Sequence, residues 1–307
     1  MSPDDSADRS PTKSPELSFG IPVRNGAASL QRALDSVLAQ RDVDLEVVIS
    51  DNASTDATGE ICRSYAARDS RVRYYRSEID TGQIANFNRV AMLSRGRYFR
   101  WLGSDDWLEP DYARRCLAVM NARPSCVLVT TRQFFVEEDG SLTSACMEPG
   151  PDADEPVVRL AEMLRLLNES HLLIDPIYSM VRRSALERCG LLRRELRCDQ
   201  ILAVELSLLG PFRHVPSELA FRRAPSFMRA PMAAGRYGVP LGRAGLQHLR
   251  MCAVLARSVD GSDLPPADRR TAYRAIGSFY FRRQSNIARR RARKLRSYAV
   301  LHTAATR

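Results

Sequence analysis

The sequence predicts an α/β fold: a mostly parallel sheet flanked by helices, followed by a basic helical C-terminal extension. Three observations predict it. Short apolar runs alternate with segments of helical period four times between Leu17 and Thr131. Each run stops at a turn-forming or polar stretch, as at Pro22 with Asn25-Gly26 and at Gly103–Asp106. Charge divides along the chain: the net charge is +10, yet residues 226–307 hold 17 basic and 3 acidic residues, which leaves 1–225 with a slight acidic excess. At 307 residues with 44% hydrophobic content, the chain can bury a real core, and wholesale disorder is excluded. No apolar run approaches the length of a membrane span.

Residues 1–15 are polar and proline-rich and read as a disordered leader without the apolar stretch of a signal peptide. Leu17–Val23 reads as a buried strand. Leu30, Ala33, Leu34, Val37 and Leu38 then mark one helix face, with Ser29 as its cap. Leu45–Ile49 is the next strand, with Asp51 at its end. A helix follows over about 56–68, a strand over Val72–Arg76, a helix over Ile84–Leu93 and a strand over Tyr98–Leu102. Pro110 suits the first turn of a helix running to about Asn121, and Ser125–Thr131 is a Val/Thr-rich strand. Beyond it the pattern loosens. Glu137–Ser141 reads as a hairpin turn, Val157–Leu167 as a helix, Tyr178–Val181 as a strand and Ser184–Cys189 as a helix ended by Gly190. Asp199–Leu209 reads as a helix capped by Gly210, and Phe212–Val215 and Leu219–Phe221 as two short strands. Residues 226–240 read as a linker before helices over about 245–258 and 267–297. The resulting organisation is a leader (1–15), an α/β unit (16–225) and the basic extension (226–307). Seven cysteines without a C-x-x-C pair read as reduced thiols.

In sheets of this kind ligands bind beyond the carboxyl ends of the strands. That rule selects Pro22–Asn25, Asp51–Ser54 and Gly103–Asp106, three polar stretches that converge on one rim. Asp105 and Asp106 are adjacent carboxylates, and their mutual repulsion is relieved by a cation. Mg²⁺ or Mn²⁺ takes one or two carboxylates together with phosphate oxygens. The acidic pair also reads as solvated loop residues, and Ser54, Thr55 or Asp56 as helix caps.

From Leu17 to about Arg223 the chain resembles the family 2 glycosyltransferases, whose fold is the Rossmann-like GT-A type. The resemblance rests on five stretches in family order. They are Phe19–Asn25 (FGIPVRN), Leu34–Gln40 (LDSVLAQ), Val48–Asp56 (VISDNASTD), Asp80–Gly82 with Asn86–Asn88, and Trp101–Asp106 (WLGSDD) at the Asp-x-Asp position. The resemblance implies an inverting transferase that moves a sugar from a nucleotide-diphosphate donor, of UDP or dTDP type. Donor contacts would come from Pro22, Val23, Arg24, Asn25, Asp51, Asn52, Ser54, Gly82, Gln83, Asn86, Asn88, Ser104 and Asp105. Asp105 and Asp106 would hold the divalent cation, Mn²⁺ or Mg²⁺. Arg197–Gly210 resembles the segment that supplies the base, and Asp199 matches that position; as a bare sequence feature, Asp199 is also a carboxylate favoured at a helix N-terminus. The sequence departs from the pattern at Gly103, where many members have the first Asp, and at Ala224, where some have a His.

Relatives of this kind build surface glycans on glycan or lipid-linked acceptors, which implies a cytoplasmic enzyme, peripheral on the inner face of the cell membrane. Eight basic residues fall between Arg282 and Arg296, interleaved with nearby Tyr280, Phe281 and Tyr298, and no acidic residue follows Asp268. Residues 269–298 therefore suit an anionic membrane surface more than nucleic acid; they also read as a solvated basic helix that keeps the protein soluble, and the same helices could pack on the body or pair two subunits. Two other readings stand beside the transferase: a catalytically degenerate nucleotide- or glycan-binding GT-A protein, kept open by Gly103 and Ala224, and a nucleotidyltransferase, for which Arg24-Asn25-Gly26 is a thin phosphate loop.

Overall fold

The computed structural model describes residues 14–137, 139–145, 149–170, 175–223 and 246–305. The expected leader lies almost wholly outside them, as do the linker, Cys146, His171 and Ala224.

The first half is three strand–helix units and a fourth strand: β1 (Leu17–Val23), α1 (Leu30–Leu38), β2 (Leu45–Asn52), α2 (Thr58–Arg68), β3 (Val72–Ser77), α3 (Gln83–Leu93) and β4 (Tyr98–Trp101). Strands β1, β2 and β4 are buried along their whole length, the signature of strands covered on both faces. They pair in parallel in the order β3-β2-β1-β4. Ser29 precedes α1 as expected, but its side chain makes no capping bond. Asp51 stands one residue inside the end of β2, because pairing with β3 continues through Asn52.

The second half comprises β5 (Trp107–Leu108), α4 (Tyr112–Ala122), β6 (Leu128–Val136), β7 (Leu142–Ala145), α5 (Pro156–Glu169), a 3₁₀ turn (Pro176–Tyr178), β8 (Met180–Arg182), α6 (Arg183–Cys189), α7 (Cys198–Leu209), β9 (Phe212–Arg223), α8 (Gln247–Asp260) and α9 (Pro266–Ala305). Here the sheet is mixed. Strand β8 is antiparallel to both β4 and β6, β9 is parallel to β6, and β5 is antiparallel to β9. The sheet is thus wholly parallel through β4 and mixed beyond it. The two short strands expected between Phe212 and Phe221 form one strand, β9, whose register against β6 shifts around Arg132, opposite Pro216 and Ser217. Gly210 does not cap α7 in a left-handed conformation (φ −179°). It is needed for close approach: a Cβ there would stand 2.5 Å from the Ser125 carbonyl oxygen.

One apolar cluster beneath the sheet gathers α1, α2 and α4 around Phe19, Ile49 and Tyr112. The other gathers Phe99 and Trp101 with α5, α6 and α7, and it takes in Met251 and Leu255 of α8 and Ala272, Ile276 and Phe279 of α9. The inner face of α9 therefore packs on the body. The six described cysteines are free and buried. Burial pushes the Cys62, Cys116, Cys189 and Cys198 thiols up to about 12, which suits inert core residues. No helix among the described residues is long and apolar enough to cross a membrane.

Candidate active site

The loops leaving β1 and β2 are tied together at the strand ends. Asn25 adopts φ 53° and Ala53 φ 58°, left-handed conformations uncommon for residues other than glycine. The Asn25 N–H donates to Ser54 Oγ (2.9 Å), and Asn25 Oδ1 accepts from the Thr55 N–H (2.8 Å). The Gly26 N–H donates to Thr58 Oγ1 (2.9 Å). Pro22, Val23, Asp51, Asn52 and Ser54 are buried beneath this rim, whereas Arg24 and Asn25 are exposed on it.

Asp51 is fully buried, and both its oxygens are engaged. Oδ1 accepts from the Ser54 N–H; Oδ2 accepts from Tyr74 Oη–H and from Arg76, each at 2.9 Å. Arg76 also donates to the Ser54 carbonyl (2.8 Å), so the pair fixes the turn after β2. Asn52 donates to Asp80 (2.6 Å) and accepts from the Thr81 N–H (2.9 Å). Arg24 forms an ion pair with Asp80 (2.9 Å). Gly82 (φ 85°) and Gln83 are exposed where α3 begins.

Two residues of α3 are engaged with the main chain. Asn86 is buried and donates to the Ser50 carbonyl (3.0 Å), while its Oδ1 has no hydrogen-bond partner. Asn88 spends both amide groups on Leu192, donating to its carbonyl (2.8 Å) and accepting from its N–H (3.0 Å). The geometry of Asn88 is that of a tie between α3 and the loop before α7.

Asp105 is exposed at the end of β4, with Ser104 half-buried beside it and Asp106 buried. Asp106 Oδ1 accepts from the Arg223 N–H (3.1 Å). Burial, reinforced by the neighbouring Asp105 carboxylate, pushes the Asp106 carboxyl up to about 7, against the opposing pull of Arg222 and Arg100. Gly103 makes this folding possible: a Cβ there would meet Asp106 Oδ2 at 2.6 Å and Asp105 Oδ1 at 3.0 Å. An exposed carboxylate beside a buried one whose ionisation burial disfavours fits a divalent cation that draws its remaining ligands from phosphate and water. No group of three or more metal-ligating side chains occurs among the described residues.

Three residues that the sequence reading gave no role, Arg222, Asp175 and Tyr178, gather beside Asp106. Arg222, near the end of β9, lies 4.0 Å from Asp175, and its guanidinium carbon sits 3.1 Å from the centroid of the Tyr178 ring. Burial raises the Asp175 carboxyl, Arg222 lowers it, and Asp199 and Asp106 raise it, so Asp175 lies within electrostatic reach of both acidic positions. Asp199 occupies the first turn of α7, just after Arg197, which takes up a left-handed conformation (φ 63°). Asp175 stands before a proline in an irregular stretch, and Arg222 is one arginine of many, so no local pattern singles out either.

The sequence model described as Glycosyl transferase family 2 matches residues 18–190, more than half of the chain. The chain belongs to this family. A chondroitin synthase of Pasteurella multocida is 38% identical over 130 residues, which is 42% of this chain and 13% of that protein. The succinoglycan biosynthesis protein ExoO of Rhizobium meliloti is 28% identical over 194 residues, 62% of this chain and 53% of that one. The chain thus spans only a part of the length of these relatives. Its fold is similar to that of S. aureus TarS 1-349 in complex with UDP-GlcNAc (TM-score 0.63, 16% identity, 87% of this chain and 72% of that one). It is also similar to the mannosyltransferase PcManGT of Pyrobaculum calidifontis, solved with GDP-Man and Mn²⁺ (TM-score 0.52, 17% identity, 92% and 90%). These likenesses establish the GT-A-type fold of the chain.

Proposed function

We propose that this glycosyltransferase moves a sugar, with inversion, from a UDP- or dTDP-linked donor to a hydroxyl of a glycan or lipid-linked acceptor during surface polysaccharide or glycolipid synthesis. The observation that carries the reading is that β1, β2 and β4 run in parallel, so the loops leaving them share one rim, while Asp106 and Asp199 both lie within electrostatic reach of Asp175. The base and ribose lie against Pro22–Asn25, Asp51 and Ser54. Asp51 is fully buried and spent on Ser54, Tyr74 and Arg76, so it shapes this wall from behind the turn after β2. Ser104 and Asp105 face the diphosphate.

Asp105, supported by the buried Asp106, would hold Mn²⁺ or Mg²⁺, which when bound neutralises charge on the leaving diphosphate. Asp199 takes the proton of the acceptor hydroxyl. The acceptor oxygen bonds to the anomeric carbon as the bond to the diphosphate breaks on the opposite face. UDP-GlcNAc and UDP bound to TarS support the donor class, and Mn²⁺ with PcManGT supports the cation.

The test is thermal stability against UDP, dTDP, GDP, CDP and ADP, each with and without Mn²⁺. A ligand at about 100 times its Kd adds roughly 2.7 kcal/mol. The expected result is a Mn²⁺-dependent shift with UDP or dTDP, lost in Asp105→Ala and kept in Asp199→Asn, which in turn abolishes transfer. No shift with any nucleotide would favour a degenerate binding protein.

A further inference from the structure

The outer face of α9 is built differently from its inner one. At 100° per residue, Arg270, Arg274, Phe281, Arg282 and Arg289 fall within an arc of about 120°. All five are exposed, and Phe281 is 73% exposed. The opposite arc carries Ala272, Ile276 and Phe279, which are buried in the core, and Arg283, which donates to the Leu167 carbonyl of α5. The inner contacts hold the helix on the body, so the outer arc has a fixed direction. Tyr280 packs against the core and its ring meets Phe281 edge-on (5.7 Å between centroids), which braces the exposed ring in its outward position. Among the described residues, none of the four arginines makes an ion pair, and no acidic residue follows Asp268. The backbone continues as helix to Ala305, on the order of 30 Å past Arg283.

We infer that the outer arc of α9 is a docking surface for an anionic membrane, with the arginines at the level of the lipid phosphates and Phe281 inserted between headgroups. Charge complementarity selects the lipid phosphate, and the single aromatic ring projecting among the arginines selects an interface with an apolar layer beneath its charge. A phenylalanine held this far out of the core gains nothing from water, whereas a membrane interface accepts both it and the flanking cations.

The experiment is sedimentation of the full chain with phosphatidylcholine vesicles, with or without phosphatidylglycerol, at about 0.1 M salt. Binding is expected only with phosphatidylglycerol and should weaken as salt rises. Each arginine contributes about fivefold, so the combined Arg270→Ser, Arg274→Ser, Arg282→Ser and Arg289→Ser variant should lose at least about a hundredfold. Phe281→Ser, which leaves the charge unchanged, should weaken binding several-fold. Both variants should keep the wild-type thermal midpoint, since the replaced side chains are exposed. Equal binding to neutral vesicles, or no binding, overturns the proposal. So does tighter binding to duplex DNA or RNA than to the anionic vesicles at the same salt. So would a dimer in sedimentation velocity that Phe281→Ser dissolves. Donor binding read by the nucleotide thermal shift does not use this face, so the two readings fail independently.

Discussion

Burial raises the Asp175 carboxyl while Arg222, 4.0 Å away, lowers it, and the burial prevails. An unfolded aspartate ionises near pH 4, so between about pH 4 and the raised folded value the native protein holds a proton that the unfolded chain has released. Stability therefore falls as pH rises through that window, and the neighbouring Asp199 and Asp106 carboxylates widen it by raising the folded value. Asp175→Asn is neutral throughout and keeps the oxygen that accepts from the Ile177 N–H. It should match the wild type near pH 4 and exceed it at pH 8, by on the order of 1 kcal/mol or more. Calorimetry across that range checks this, and a variant less stable at pH 8 would show that the Arg222 pair outweighs burial. Gly103 allows a second test at this scale. Gly103→Ala places a Cβ where the Asp106 and Asp105 oxygens now stand, so both carboxylates must move. Mn²⁺-dependent nucleotide binding, measured by titration calorimetry, should weaken by about tenfold. Unchanged affinity would remove these two oxygens from the metal argument.

The elements that sequence reading finds and those it misses differ in the range of the forces that make them. Strands β1, β2 and β4 are continuous apolar runs bounded by turns, and their helices show one apolar face, so local pattern is enough. Strand β5 has two residues and exists only because Trp107 and Leu108 pair with Phe221 and Ala220, more than a hundred residues on. Strand β9 contains Pro216 and Ser217, which read as a break; a bulged pairing with β6 carries the strand past them. The direction of β8 is likewise set by its partners. The site follows the same rule: Asp51, Asp105 and Asp199 sit in recognisable stretches, whereas Asp175 and Arg222 become a pair only when β9 returns beside β6. At the start of β9, Gly210→Ala would drive a Cβ to 2.5 Å from both the Ser125 carbonyl oxygen and Val127 Cγ1. Backbone cannot yield there as a side chain can, so urea denaturation should register a loss of about 1–3 kcal/mol. A neutral effect would mean that the turn between α7 and β9 is free to relax.

At the scale of the whole molecule, α8 and α9 share one apolar cluster with α5, α6, α7 and the sheet. The basic helix is thus anchored by the same core that carries Trp101, and the two should unfold together. Phe279→Ala, at a fully packed position, should lower global stability by about 3 kcal/mol while leaving a single cooperative transition. An early separate transition, with the remainder unchanged, would show α9 melting alone. The two tryptophans of the chain divide the molecule optically. Trp101 is fully buried and donates to the Phe87 carbonyl (2.8 Å), so its emission reports the core and should respond only to unfolding. Trp107 follows Asp106 directly, stacks on Phe221 (5.4 Å between centroids) and carries the Arg32 guanidinium over its indole (3.1 Å). A cation on the face of the ring and a carboxylate one residue away make its emission sensitive to charge arriving at the rim. Nucleotide and Mn²⁺ should therefore change the intrinsic fluorescence through Trp107 alone, and Trp107→Phe should abolish that change while Trp101 still reports unfolding. The protein carries its own binding signal, with no label required.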